Sequence, residues 1–371
     1  AIQLHVNMLE IAVDAMLALI ALPVLLAIGF LFDGNSDSDS SDDSSEPSTE
    51  PSEGNDSLTG TTGPDSISAL GGDDTLAGNA GEDTLEGNDG DDQMIGQGGD
   101  DVMYGGAGDD TILANWDNDK VYGGSGNDVV FGLSTESADG LGGDDTIWGE
   151  GGDDFLLSGQ GDDLVYGGSG ADTLAGAEGF DTLEGNGGDD VPIDQNGDDA
   201  EDVLKGGFGN DSLSAEGGND SLYGGEGDDH LEEIGTGSGH LYGGIGNDVL
   251  VGWNFYEYDD QPDLLYGGDG DDILVGDFGD QLYGGEGADL FSQDTHSGVV
   301  SVGDYNGADD GIEIVMLDPV DTVNVDVQAS ADGQGTDILV NGDLVMVLEN
   351  TSPLDVNVDN IQVYFPEQTA A

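Results

Sequence analysis

An aspartate recurs every nine residues through the middle of this 371-residue chain, and a large apolar residue follows it two positions later. From residue 70 the units read LGGDDTLAG, NAGEDTLEG, NDGDDQMIG, QGGDDVMYG and GAGDDTILA. The apolar position is filled by Leu76, Leu85, Met94, Met103, Ile112, Val121, Val130, Ile147, Leu156 and Val165. A fixed internal period is the signature of a solenoid, because one short unit cannot bury its apolar side chain alone. Glycines before each aspartate supply a tight turn and close backbone approach. The three residues after it have room for a stub strand, whose middle residue faces inward while its neighbours face out. Two units back to back give a coil of eighteen residues, and stacked coils give two parallel sheets around a thin apolar ladder. The fold expected is all-β, a parallel β-roll.

Charge decides what can hold such coils together. Asp and Glu number 82 against two basic residues, Lys120 and Lys205, for a formal charge of −80. A chain this acidic repels itself unless cations compensate. Nucleic acid is excluded as a partner, since binding it needs basic side chains to neutralise phosphates. Carboxylates and backbone carbonyls are hard oxygen donors and suit calcium first. There are no cysteines, so disulfides, thiolate metal sites and a cysteine nucleophile are absent.

The units resemble the RTX (repeats-in-toxin) nonapeptide GGxGxDxUx, with U large and apolar, over residues 57–293. The resemblance implies calcium ions seated between the turns of successive coils, held by turn carbonyls and by aspartates of two stacked turns. Carried onto this chain, the ligands are Asp74, Asp83, Asp92, Asp101, Asp110, Asp119 and Asp128, then Asp145, Asp154, Asp163, Asp172, Asp181, Asp190 and Asp199, then Asp211, Asp220, Asp229, Asp248, Asp272 and Asp289. Asp74 and Asp92 then share one column, and Asp83 and Asp101 the other. About one ion per regular unit gives on the order of twenty ions and roughly +40, near half the formal charge. One apolar side chain per nine residues cannot offset a chain entropy of about 1–2 kcal/mol per residue, so ion binding is expected to drive folding.

The register slips at 133–140, 192–206, 232–243, 253–263 and 277–284, which are expected as loops or bulges, and Pro192 stands where U is expected. Trp253, Phe255, Tyr256 and Tyr258 cluster in one of these. They are read as cover for a local core, with a stacked cell-surface glycan as the alternative. Tyr104, Tyr122, Tyr166, Tyr223, Tyr242, Tyr266 and Tyr283 precede glycine pairs on the outward side of the strands, and Tyr104 and Tyr122, eighteen apart, are expected to stack. They read as β-favouring surface residues, the alternative being a partner-binding strip.

Outside the repeats three segments stand apart. Residues 1–32 are mostly apolar and read as an N-terminal apolar helix, either a membrane or interfacial anchor or a surface for self-association. Residues 33–56 are a Ser/Asp/Glu/Pro linker, expected disordered. Residues 294–371 alternate with period two and read as a small antiparallel β cap, with Asn341-Gly342 as a two-residue hairpin turn. The resemblance implies export by type I secretion through an uncleaved C-terminal signal, and hence a secreted or cell-surface location. His5, His230, His240 and His296 make no zinc pattern, and there is no HExxH, nucleophile elbow or P-loop. No stretch is left to house a catalytic domain. The reading is therefore a non-enzymatic calcium-binding structural or interaction protein, with a calcium-dependent adhesin or carbohydrate-binding module as the alternative.

Overall fold

In the computed structural model the described residues are 50–131, 143–194, 200–235, 237–253, 261–294, 298–316 and 323–365. They form a parallel β-solenoid. Alternate strands belong to alternate sheets, one of 15 strands and one of 16, so each coil contributes one strand to each. Strand Thr75–Ala80 pairs in parallel with Gln93–Gly98, which pairs with Thr111–Trp116. Strand Thr84–Asp89 pairs likewise with Val102–Ala107 in the opposite sheet. The pairing offset is eighteen residues: Leu76 lies beside Met94, and Leu85 beside Met103.

The strands are longer than the expected stubs. Most run six residues because the chain stays extended through the first glycines of the next unit, as in Thr75–Ala80, TLAGNA. In strands such as Thr75–Ala80 and Thr84–Asp89 two positions turn inward, the apolar residue and the glycine two places after it. The apolar ladder is fully enclosed: Leu76, Leu85, Met94, Met103, Ile112, Val121, Val130, Ile147, Leu156 and Val165 are all 0% exposed. Pro192 takes the inward place beside Leu174.

The outward aromatics stack as expected. Tyr104 and Tyr122 lie 4.8 Å apart, Tyr122 and Trp148 4.5 Å, and Trp148 and Tyr166 6.0 Å, with ring planes nearly parallel. A second run, Tyr223, Tyr242, Tyr266 and Tyr283, has separations of 5.0, 5.3 and 4.7 Å. Between the runs, Glu184 and Lys205 form an ion pair at the same strand position. Ring faces cover one another along the stack, so the outer surface presents mainly edges and hydroxyls.

The C-terminal part departs from a purely antiparallel cap. Strands Val325–Ala329, Gly335–Val340 and Asp343–Glu349 do form an antiparallel meander. Its turn is Asn341-Gly342, with both residues at positive φ as a type I′ hairpin requires. Yet Asp343–Glu349 also extends one sheet in parallel beside Val300–Val302, and Ile361–Tyr364 extends the other beside Gly311–Val315. The reason is apolar continuity: Val300, Val302, Ile312 and Ile314 prolong the inward ladder, so strands that cover them stack in the solenoid's register. At the other end Ser52 already bridges Leu70, within the stretch expected as linker. Residues 1–32, most of 33–56, and the 254–260 loop with the Trp253 side chain lie outside the described residues. Among the described residues no helix is long and apolar enough to cross a membrane.

Candidate metal centre

Each coil turns twice, and each turn places one aspartate under the roof of the next coil. The Asp74 backbone N–H donates to Asp92 Oδ1 at 2.7 Å, Asp92 to Asp110 at 2.8 Å, and Asp110 to Asp128 at 2.8 Å. On the opposite edge Asp83 donates to Asp101, Asp101 to Asp119, and Asp119 to Asp145, each at 2.8 Å. The first column runs on through Asp154, Asp172, Asp190, Asp211, Asp229, Asp248, Asp272 and Asp289. The second continues through Asp163, Asp181 and Asp220. The aspartates that the resemblance assigns to two columns are therefore stacked in two rows.

One assignment changes. Asp199, nine residues after Asp190, lies outside the described residues, and the rung at its level is Asp202, which accepts from Asp181 at 2.7 Å. The insertion before it lengthens that coil to twenty-one residues, so strict counting by nine lands short. The columns also hold rungs that counting missed. Asp56 donates to Asp74, Asp65 to Asp83, Asp263 to Asp280, and Asp289 to Asp310. Asp56 and Asp310 fall inside the segments expected as linker and cap. The usable signal was the DxU triplet itself, which survives where the spacing does not.

A second rail was not anticipated. The residue before each rung, usually Asp or Asn, accepts from the coil that follows. Asp109 N–H donates to Asp91 Oδ1, Asn127 to Asp109, and Asp153 to Asn127. The inner rail donates in the opposite sense, from the earlier coil to the later one. The DD and ND pairs of the repeat are its trace in the sequence.

The inner carboxylates are only half used. Oδ1 accepts the rung hydrogen bond. Oδ2 of Asp74, Asp92, Asp110, Asp119, Asp128, Asp154, Asp172 and Asp190 is buried with no hydrogen-bond partner. These residues are at most 3% exposed. Buried polar atoms are ordinarily satisfied, so these unpaired oxygens ask for ligands. Glycine keeps the space beside it open: a Cβ on Gly105 would lie 2.3 Å from Asp110 Oδ2 and 2.5 Å from the Gly123 carbonyl oxygen. The same holds at Gly78, at 2.4 Å from Asp83 Oδ2 and 3.0 Å from the Gly96 carbonyl. At the corner, Gly108 has φ +134°, and a Cβ there would meet the Gly90 carbonyl at 2.3 Å.

The electrostatics point the same way. Burial pushes the Asp110 carboxyl up to about 7, Asp119 to about 8 and Asp145 to about 9; the rung hydrogen bond offsets part of this, and neighbouring rungs add to it. Stacked carboxylates about 4.8 Å apart repel by about 3 kcal/mol per pair at an effective dielectric of 20. Over two columns that reaches tens of kcal/mol, beyond the roughly 5–15 kcal/mol that holds a domain folded. The columns cannot stand fully ionised without cations.

The donor set fits calcium. It is oxygen only, from carboxylates and carbonyls. Among the described residues no three acidic or imidazole side chains converge on one point. A cation in these turns would therefore draw on successive rung carboxylates together with glycine carbonyls. When bound, calcium supplies the positive charge that the buried rungs lack.

A family model decides the matter. The RTX calcium-binding nonapeptide repeat matches residues 52–85, 69–103, 77–112, 95–130, 112–135, 132–165, 166–191, 196–231, 234–254, 259–280 and 277–292, more than half of the chain. This chain belongs to the RTX calcium-binding repeat family. It is a calcium-binding repeat protein with an acidic, parallel β-roll architecture. No curated protein matches it by sequence. Among solved structures, the extracellular lipase LipA from Serratia marcescens aligns with 84% of this chain and 38% of its own, at 16% identity and a TM-score of 0.14. This RTX chain thus spans well under two thirds of the lipase's length.

Proposed function

We propose that this chain is an exported, non-enzymatic protein whose β-roll folds when calcium fills its turns, on the order of one ion per regular unit. The observation that carries the reading is the pair of buried carboxylate columns with an unpaired oxygen at successive turns. A net charge of −80 opposes the apo roll, and calcium removes that opposition locally. An apo chain that stays expanded suits passage through a secretion channel, and millimolar calcium outside the cell would then trigger folding. Residues 1–32 are proposed to anchor or self-associate the protein. The rigid folded roll serves as a spacer or interaction scaffold.

The test is far-UV circular dichroism with small-angle scattering during a calcium titration of the full chain. An expanded chain in chelator that becomes β-rich and compact with calcium is expected. A compact, β-rich chain in chelator at neutral pH would refute the proposal.

A further inference from the structure

One rung is missing its aspartate. The second column passes Asp202 and Asp220 and resumes at Asp263 and Asp280, but at the level between them stands Gly239. The backbone there is an ordinary rung. The His240 N–H donates to the Asp220 carbonyl at 2.8 Å, the Gly239 N–H to Asp263 Oδ1 at 2.7 Å, and the Leu264 N–H to the Gly239 carbonyl at 2.9 Å. Among the described residues, no other rung between Asp65 and Asp280, or between Asp56 and Asp310 in the first column, lacks Asp.

The same turn carries a second departure. The inward strand position that is Gly60, Gly78 and Gly96 in earlier coils, and Ala114, Ser158, Asp194 and Ala215 in others, is Glu233 here, paired with Ala215 before it and Gly252 after it. At Gly78 a side chain would collide with the rung carboxylate that follows. At Glu233 the collision is absent because Gly239 has no side chain. A Cβ built on Gly239 would lie 2.6 Å from Glu233 Cγ, so the glutamate occupies the volume that a rung carboxylate would fill. Glu233 is 2% exposed, and both of its carboxylate oxygens are buried without a hydrogen-bond partner.

We infer that Glu233 replaces the missing rung carboxylate at Gly239 and donates to a cation held between the Asp220 and Asp263 turns. This deepens the calcium reading above and rests on it. Two departures from the repeat, at Glu233 and Gly239, cancel: the carboxylate has moved from the turn to the strand before it, and the glycine has moved from the strand to the turn. The longer glutamate side chain reaches the same space from the opposite wall. The cation column thereby continues across the level where the aspartate is lost.

The test compares full-length chains for bound calcium, by equilibrium dialysis with elemental analysis, and for the calcium midpoint of folding by circular dichroism. Glu233→Gln keeps shape and volume and removes the charge. Glu233→Gly combined with Gly239→Asp restores the regular repeat. Glu226→Gln, at an exposed position, is the control. Glu233→Gln is expected to lose about one to two ions and raise the midpoint roughly three- to tenfold. The double variant is expected to recover both values. Wild-type calcium content with an unchanged midpoint in Glu233→Gln would overturn the inference alone, since a protonated filler tolerates glutamine. So would a double variant that folds in saturating calcium yet fails to recover the ions. A wild-type chain that binds no calcium would overturn this inference and the proposed function together.

Discussion

Replacing a mid-column rung by its neutral isostere should change stability in opposite directions with and without calcium. Asp119 is suited to this: it is 1% exposed, accepts from Asp101, donates to Asp145, and leaves Oδ2 unpaired. Burial raises its carboxyl from 3.8 to about 8. At pH 7.5 that shift caps the cost of ionising it in the apo roll at about 5 kcal/mol, of which screening leaves about 2 kcal/mol. Asp119→Asn keeps Oδ1 and removes the charge, so the apo roll gains about 2 kcal/mol. With calcium the same change strips an anionic donor from the two cages that flank the rung. A tenfold loss of affinity at each costs about 3 kcal/mol in all. The assay has two arms. In chelator, compaction by a protecting osmolyte is followed by circular dichroism, and the midpoint is expected at lower osmolyte for Asp119→Asn. In calcium, the folding midpoint is expected at higher ion concentration. Val121→Ala, in the same repeat and 0% exposed, is the comparison, expected to cost about 2 kcal/mol in both arms. An Asp119→Asn effect of the same sign in both arms would refute the argument that these rungs are cation seats rather than packing elements.

Acidification should partly replace calcium. Asp110, Asp119 and Asp145 stand at about 7, 8 and 9 in the folded chain against 3.8 unfolded. Their contribution to the apo roll is thus fully present below about pH 4 and lost as pH rises through about 7–9. In chelator, β-structure is expected to appear as pH falls, and in calcium, binding is expected to release protons, readable by titration in weakly buffered solution. Gly105→Ala, which would press a methyl against Asp110 Oδ2 and the Gly123 carbonyl, is expected to cost about 1–3 kcal/mol and raise the calcium midpoint; Gly54→Ala, with nothing within 4 Å, is expected to leave it unchanged. Tyr242→Ala removes a ring stacked between Tyr223 and Tyr266 and is expected to lower calcium-form stability by about 1–3 kcal/mol without changing the number of ions bound.

The period made the interior readable. An Asp followed two places later by Leu, Ile, Val or Met can satisfy a turn and a core only in one register, so the ladder from Leu76 to Val165 and the separation into two columns follow from spacing. What spacing could not reach is what happens where coils change length. Asp119 and Asp145 are adjacent rungs although twenty-six residues separate them. Between the Asp220 and Asp263 rungs the column carries no aspartate at all, because Gly239 stands there with Glu233 behind it. Counting by nine therefore chose Asp199 and passed over Asp202, Asp263 and Asp280. The six-residue strands were also hidden, because glycine is unfavourable in isolated strands. Here small residues, glycine above all, suit them, since the inward position after each apolar residue faces a carboxylate; Ala114, Ser158 and Ala215 take it in some coils.

The same geometry sets how calcium must act along the molecule. Each rung's Oδ1 is tied to the coil before it, and its turn abuts the coil after it, so no cation seat belongs to a single coil. On the proposed function, an ion seated between Asp92 and Asp110 would order the turns on either side and thereby prepare half of each neighbouring seat. In a quasi-one-dimensional stack such nearest-neighbour sharing makes stability the sum of weak coils and favourable interfaces. Isolated coils would then be unstable at any realistic calcium concentration, while a run of them would fold over a narrow range. The insertion between Asp119 and Asp145 leaves both columns continuous, so it adds closure entropy of only the logarithm of its length and leaves that coupling intact. A lost carboxylate is different in kind, because it interrupts two seats at once. That asymmetry explains how the chain accommodates coils of seventeen to twenty-six residues, yet at the level where an aspartate is lost buries a glutamate in its place.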